Sequence, residues 1–198
     1  MTTSAVQCAM RLAVAPAPLQ TFVSAASSQD AATTHLPNEI SLARQIMHNL
    51  QHQHYWTALC LHTHSPITND PLPRPLVSGL PPRRLYVHPD EQVELLKKAD
   101  RERKARAPGE PAALEVKADP EREWILPTRL KEQWTLRRLA TVFDAIAIIP
   151  PHETDTTDTA SPANPWRTTK RVVLATVDTD STVVYYIVHD GVVKPRQN

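Results

Sequence analysis

Hydrophobic positions along this chain fall into short periodic runs separated by polar, proline-rich stretches. From Pro37, the residues Ile40, Ala43, Ile46 or Met47 and Leu50 recur at the 3.6-residue spacing of an amphipathic helix, with Asn38 as its expected cap. After His52 the period shortens to two. In YWTALCLHTH, Trp56, Ala58, Cys60 and His62 share one face, and Tyr55, Thr57, Leu59 and Leu61 the other. Apolar groups on both faces predict a central strand covered twice. The proline-rich stretch SPITNDPLPRPLVSGLPP then crosses to a strand expected around RRLYVHP.

Pro89 opens a second helix, with Asp90 and Glu91 where the helix dipole favours acids. Its expected inward face is Val93, Leu96 and Ala99, and it ends in KKADRERKAR. WILP predicts a short strand. Pro127 and Thr128 are read as the start of a long helix, RLKEQWTLRRLATVFDAI, with Leu136, Leu139, Val142 or Phe143, and Ile146 on one face. The chain closes with strand KRVVLATV, the acidic turn DTDS, strand TVVYYIVH, a hairpin turn at Asp190-Gly191 and a short strand VVK. This order predicts an α/β (mixed α+β) domain over residues 35–198 with a C-terminal β meander. Residues 107–122 and 150–169 are expected to be flexible insertions. Residues 1–34, with Arg11 and Asp30 as their only charges, are expected to be a disordered tail: they are acid-poor, but one arginine does not make a transit peptide.

Composition narrows the chemistry. In 198 residues, 22 basic and 21 acidic side chains nearly cancel, so no global field marks a nucleic-acid binder. Three glycines supply no GxGxxG or GxxxxGK[ST] phosphate cradle. Cys8 and Cys60 form no CxxC pair and suit a reducing compartment. No apolar run approaches a membrane span.

Three strings, SGLPPRRLYVHPDEQ, EWILPTRLKEQW and YYIVHDGVVKPRQN, together with TLRRLATVFDAI, KRVVLA and the acidic loop before VVYY, resemble the tRNA-splicing endonuclease family. Within it they are most similar to the small structural subunit of the fungal enzyme, over about residues 35–198. The resemblance implies a tRNA-intron-endonuclease-like domain within a heterotetramer that excises introns from precursor tRNA. It also implies a nuclear location, or alternatively the cytosolic face of mitochondria. Two subunits of that enzyme carry Tyr-His-Lys sites, and the cut uses the substrate's own 2′-hydroxyl without a metal.

Lys170 matches the family's catalytic lysine position, but the motifs that bring the tyrosine and histidine, GxxFG and GDP, do not occur here. Tyr86 and His88 lie two residues apart, which is not the family spacing, and acid–base work needs both groups within reach of one phosphodiester. No catalytic residue and no cofactor are therefore expected, and the resemblance implies a non-catalytic scaffold paired with a catalytic subunit, reaching precursor tRNA only through the complex.

The histidines His48, His52, His54, His62, His64 and His88 invite a metal reading, but neither cluster gains an acidic or cysteine partner, so no metal is expected. Lys97, Lys98, Arg101, Arg103 and Lys104 are candidates for holding RNA backbone, weighed against a solvated helix end and lacking interleaved aromatics. They carry the alternative function, an independent RNA-binding module. In TVVYYIVH both faces are apolar, a hazard on an edge strand unless a partner covers it. With the family's strand pairing and acidic loop, this implies a partner-binding set of Asp178, Asp180, Val184, Tyr185, Tyr186, Val188 and His189. Self-association is the expected behaviour of the isolated chain.

Overall fold

The computed structural model describes residues 35–105, 118–151 and 164–193. The tail 1–34, most of the insertions (106–117 and 152–163) and Lys194 of the last predicted strand lie outside the described residues. Among the described residues are three helices, α1 (Pro37–Gln53), α2 (Pro89–Ala105) and α3 (Leu136–Ala145), and five strands. The strands are β1 (Thr57–His64), β2 (Pro71–Leu80), β3 (Glu123–Arg129), β4 (Arg171–Val177) and β5 (Val183–His189).

The strands form one sheet in the order β1-β2-β3-β4-β5, antiparallel except for the parallel β3–β4 pair. The mixed α/β class read from the sequence is the one observed. Alternation along the strands splits the core in two. Ile125, Val173, Ala175 and Val177 face α1, whose Leu42, Ala43, Ile46 and Leu50 are fully buried. Trp124, Leu126 and Val172 face α3 and pack on Val142, Phe143 and Ile146. Each fully buried Leu, Ile or Val stabilises the fold by about 1.5–3 kcal/mol relative to exposure. Helix α1 starts one residue before the expected cap. Leu36 occupies the N-cap position without a side-chain bond, Pro37 opens the helix, and the Leu36 carbonyl accepts from Glu39 and Ile40.

Several expectations are corrected. The strand at Thr57–His64 is an edge, not the centre, and its register breaks between Thr57 and Cys60 and between His62 and His64. The second strand is Pro71–Leu80, while residues 83–88 form none. Prolines are tolerated in β2 because its pairing jumps from His62↔Leu76 to His64↔Pro71, so Pro73 and Pro75 lie in the bulged, unpaired part. Pro127 and Thr128 belong to β3 rather than to a helix. Pairing with β2 stops at Ile125, leaving that side of β3 without a ladder at Pro127. The helix begins at Leu136, behind Thr135, whose hydroxyl accepts from the Arg138 amide. Leu136 itself is solvent-exposed.

On α2, Val93 and Leu96 are exposed and only Glu91 and Ala99 are buried. The helix is held by polar bonds at its N-terminal end rather than by an apolar face on the sheet. The C-terminal strands form the expected antiparallel hairpin β4–β5, and Gly191 takes a φ of +91° after it. Val192 and Val193 add no strand.

Candidate functional site

Strand β5 pairs residue for residue with β4, from Arg171↔His189 to Val177↔Val183, without a bulge. Its other side carries no strand among the described residues. The opposite edge, β1, is broken twice and has Ala58 at a φ of +48°, irregularities that blunt an edge against pairing. The regular, open edge is therefore β5, and its exposed apolar side chains are Val184 (43% exposed), Tyr186 (57%) and Ile187 (38%).

The seven residues predicted to meet a partner divide by what they touch. Val184 and Tyr186 project from the face that carries α3. Tyr185 turns to α1: its hydroxyl donates to Asn49 Oδ1 at 2.5 Å, and its ring meets His54 edge-on. Burial pushes its phenol up to about 12. Val188 packs on the cluster around Trp124 and Val172. His189 lies against the Tyr86 ring, with centroids 4.7 Å apart, and its Nδ1 is buried without a hydrogen-bond partner. Burial, reinforced by Arg171 and Arg167, holds this imidazole below its usual range.

The acidic turn is closed by its own bonds. The Asp178 amide donates to the Thr182 carbonyl and the Ser181 amide to the Asp178 carbonyl, with Ser181 at a φ of +70°. Asp178 accepts from the Thr179 amide, and Asp180 from the Thr182 amide, which lowers the Asp180 carboxyl below its ordinary value. Each carboxylate retains free acceptor capacity at an exposed hairpin tip, suited to a cationic surface.

Lys170 is committed elsewhere. Its Nζ donates to the Phe143 carbonyl at 2.7 Å, satisfying one of the last acceptors of α3. The Tyr86 hydroxyl is buried and unbonded, and its ring lies under the Arg171 guanidinium, 5.6 Å from the ring centre. His88 is stacked on Trp166. The structure thus does not gather Tyr86, His88 and Lys170 into one site.

At the heads of β3 and β4 sits a feature the sequence reading missed. Glu123, about 1% exposed, accepts from Arg171 through both oxygens and from Arg167 at 3.1 Å. Glu121 pairs with Arg84, Arg167 and Arg171 and accepts from Asn164. Burial alone would raise the Glu121 carboxyl. The Asn164 bond and the three arginines together hold it below the usual carboxylate range. Arg84 also pairs with Glu91 of α2. The signal in the sequence was the opposite charges heading two strands, Glu123 and Arg171, which parallel pairing sets side by side. Residues 164–169, placed in an insertion by the sequence, supply Asn164 and Arg167 to this cluster.

The basic run of α2 is divided. Arg103 and Lys104 both pair with Asp100, and their hydrogen bonds lower the Asp100 carboxyl. Lys97, Lys98 and Arg101 are exposed. Among the histidines, the His48 and His52 rings tilt together at 4.4 Å, while His62 bonds Ser78 and meets Trp124 edge-on. Among the described residues no group of three His, Cys, Asp or Glu side chains is placed to hold a metal. No helix there is long and apolar enough to cross a membrane.

The fold defines a mixed α/β domain built on one five-stranded sheet, with a regular, partly apolar edge strand left open among the described residues. Residues 45–198 match the family described as Sen15 protein, and the chain belongs to that family. A relative from Neurospora crassa, described as the probable tRNA-splicing endonuclease subunit tsp-1, is 44% identical over 162 residues. The match covers 80% of this chain and 66% of the relative, so the chain spans just under two thirds of that protein's length.

Proposed function

We propose that this chain is a non-catalytic structural subunit of a tRNA-splicing endonuclease, which pairs its β5 edge with a catalytic subunit and so supports intron excision from precursor tRNA. The observation that carries the reading is the open, bulge-free β5 edge with Val184, Tyr186 and Ile187 exposed. A partner strand laid along it satisfies its backbone groups and covers those side chains. The turn at Asp178–Ser181 extends the same hairpin and offers two carboxylates to a basic pocket beside that strand. Lys170 supports the non-catalytic part, since its ammonium caps α3 instead of facing a tyrosine and a histidine.

The test is reconstitution with the catalytic subunits and precursor tRNA. Lys170→Arg keeps a cationic donor for the Phe143 carbonyl, and cleavage by the assembled enzyme is expected to stay within about twofold of wild type. A hundredfold loss of turnover with assembly intact would overturn the non-catalytic assignment.

A further inference from the structure

Helix α2 and residues 164–166 enclose a cleft of about 570 Å3 whose walls include Lys97, Lys98, Arg101, Asn164, Pro165 and Trp166. This volume is in the range of ligand-holding clefts. On the helix wall, Glu91, Glu94, Lys98 and Arg101 follow one another at three- and four-residue steps and so share one face. The acidic end of that face is largely neutralised. Glu91 pairs with Arg84 and accepts from Asn164, leaving Glu94 as one carboxylate against three cations. Arg103 and Lys104 are bound to Asp100, whereas Lys97, Lys98 and Arg101 have no carboxylate at ion-pair distance among the described residues.

The opposite wall is stiff and aromatic. The Trp166 ring stacks on His88, with centroids 5.4 Å apart and planes 18° from parallel. Its backbone amide donates to Asn164 Oδ1 at 3.0 Å, and the Asn164 amide donates to Glu121 at 2.7 Å. The tryptophan is thereby fastened to the buried ion-pair cluster before any ligand arrives. The sequence around the basic run holds no aromatic residue for stacking. The fold supplies one from residue 166.

We propose that this cleft binds single-stranded RNA, stacking a base on Trp166 and neutralising backbone phosphates with Lys97, Lys98 and Arg101. A prepositioned ring beside free cations is the composition that holds single strands without reading their sequence. An acidic protein segment would use the cations but gain nothing from the oriented ring. The site shares no residue with β5, so it stands or falls apart from the scaffold reading.

The probe is a fluorescein-labelled oligouridylate titrated with the full chain at several salt concentrations. Replacing Lys97, Lys98 and Arg101 together with alanine is expected to flatten the slope of log affinity against log salt by about 2. Trp166→Ala is expected to weaken binding at least about fivefold, while Trp166→Phe, which keeps a stacking ring, retains most of it. A control triple of Arg83, Lys131 and Arg137 to alanine removes equal charge outside the cleft and is expected to leave the affinity within about twofold. Equal losses from the two triples would overturn the proposal in favour of diffuse attraction. Displacement of the RNA by polyglutamate of matched charge, with no effect of either Trp166 variant in chains folded by circular dichroism, would overturn it in favour of an acidic protein ligand. Partner capture through β5 is measured alongside and is unaffected by either result.

Discussion

At the residue scale, the most consequential side chain is one with no direct part in recognition. Glu123 is enclosed with Arg167 and Arg171, whose side chains are themselves buried. Removing one partner of a buried ion cluster leaves charge uncompensated in a poorly solvated place, a loss of about 3–5 kcal/mol. Glu123→Ala is therefore expected to cost about that much in denaturant unfolding, and a loss under about 1 kcal/mol would show the cluster to be peripheral. Tyr185 gives a test by pH. Its phenol is raised to about 12 by burial, whereas the unfolded chain ionises it near ~10. Between those values the unfolded state loses the proton and the folded state keeps it. The stabilisation is thus complete below the unfolded pKa and lost as pH rises through the folded one. Tyr185→Phe is expected to flatten stability against pH in that alkaline window. At neutral pH it should cost about 0.5–1.5 kcal/mol through the lost bond to Asn49. An unchanged alkaline slope in the variant would assign it to another group.

At the scale of elements, long apolar periodicities were legible and proline punctuation misled. Helix α1 follows its pattern because it buries a repeating face against the sheet, and β4 and β5 follow theirs because alternate residues pack into the core clusters on the sheet's two sides. Strand β2 was hidden by its prolines, which a bulge accommodates, and the end of β3 by Pro127, which a one-sided ladder accommodates. Pairing partners decide whether a proline breaks a strand, and local sequence does not carry them. The same blindness placed Glu121, Arg122, Asn164 and Arg167 in insertions. Arg122 reaches the Ala58 carbonyl at 2.7 Å and Ser78 at 3.0 Å, joining the approach to β3 to β1 and β2. A deletion of residues 107–117 with a short linker and one of residues 107–122 should therefore behave differently. The longer cut removes Glu121 and Arg122 together and is expected to cost at least about 3 kcal/mol more in thermal or denaturant unfolding. Equal stabilities would mean that these anchors are dispensable.

At the scale of the whole molecule, the sheet presents two unlike edges, β1 broken twice and β5 regular. The identity of the open strand could be read from the sequence, because both faces of TVVYYIVH are apolar. Which of its side chains are available could not, because that depends on how far α1 and α3 reach across the sheet. Val188 packs on the domain's own core and Tyr185 is tied to Asn49, so a charge at either position injures the fold itself. Tyr186 and Val184 lie beyond that cover. Tyr186→Lys combined with Val184→Lys is therefore expected to leave circular dichroism and unfolding midpoint close to wild type. Capture of the catalytic partner should be abolished, because pairing would bury two unpaired ammonium groups. Val188→Lys is expected to lose both folding and capture. Asp178→Ala with Asp180→Ala tests the hairpin tip separately: the chain stays folded while capture weakens more at low salt than at high, as screening already reduces the wild-type contact there. Folded Tyr186 and Val184 lysine variants that still capture the partner at wild-type strength would show that β5 is not the edge on which this subunit assembles.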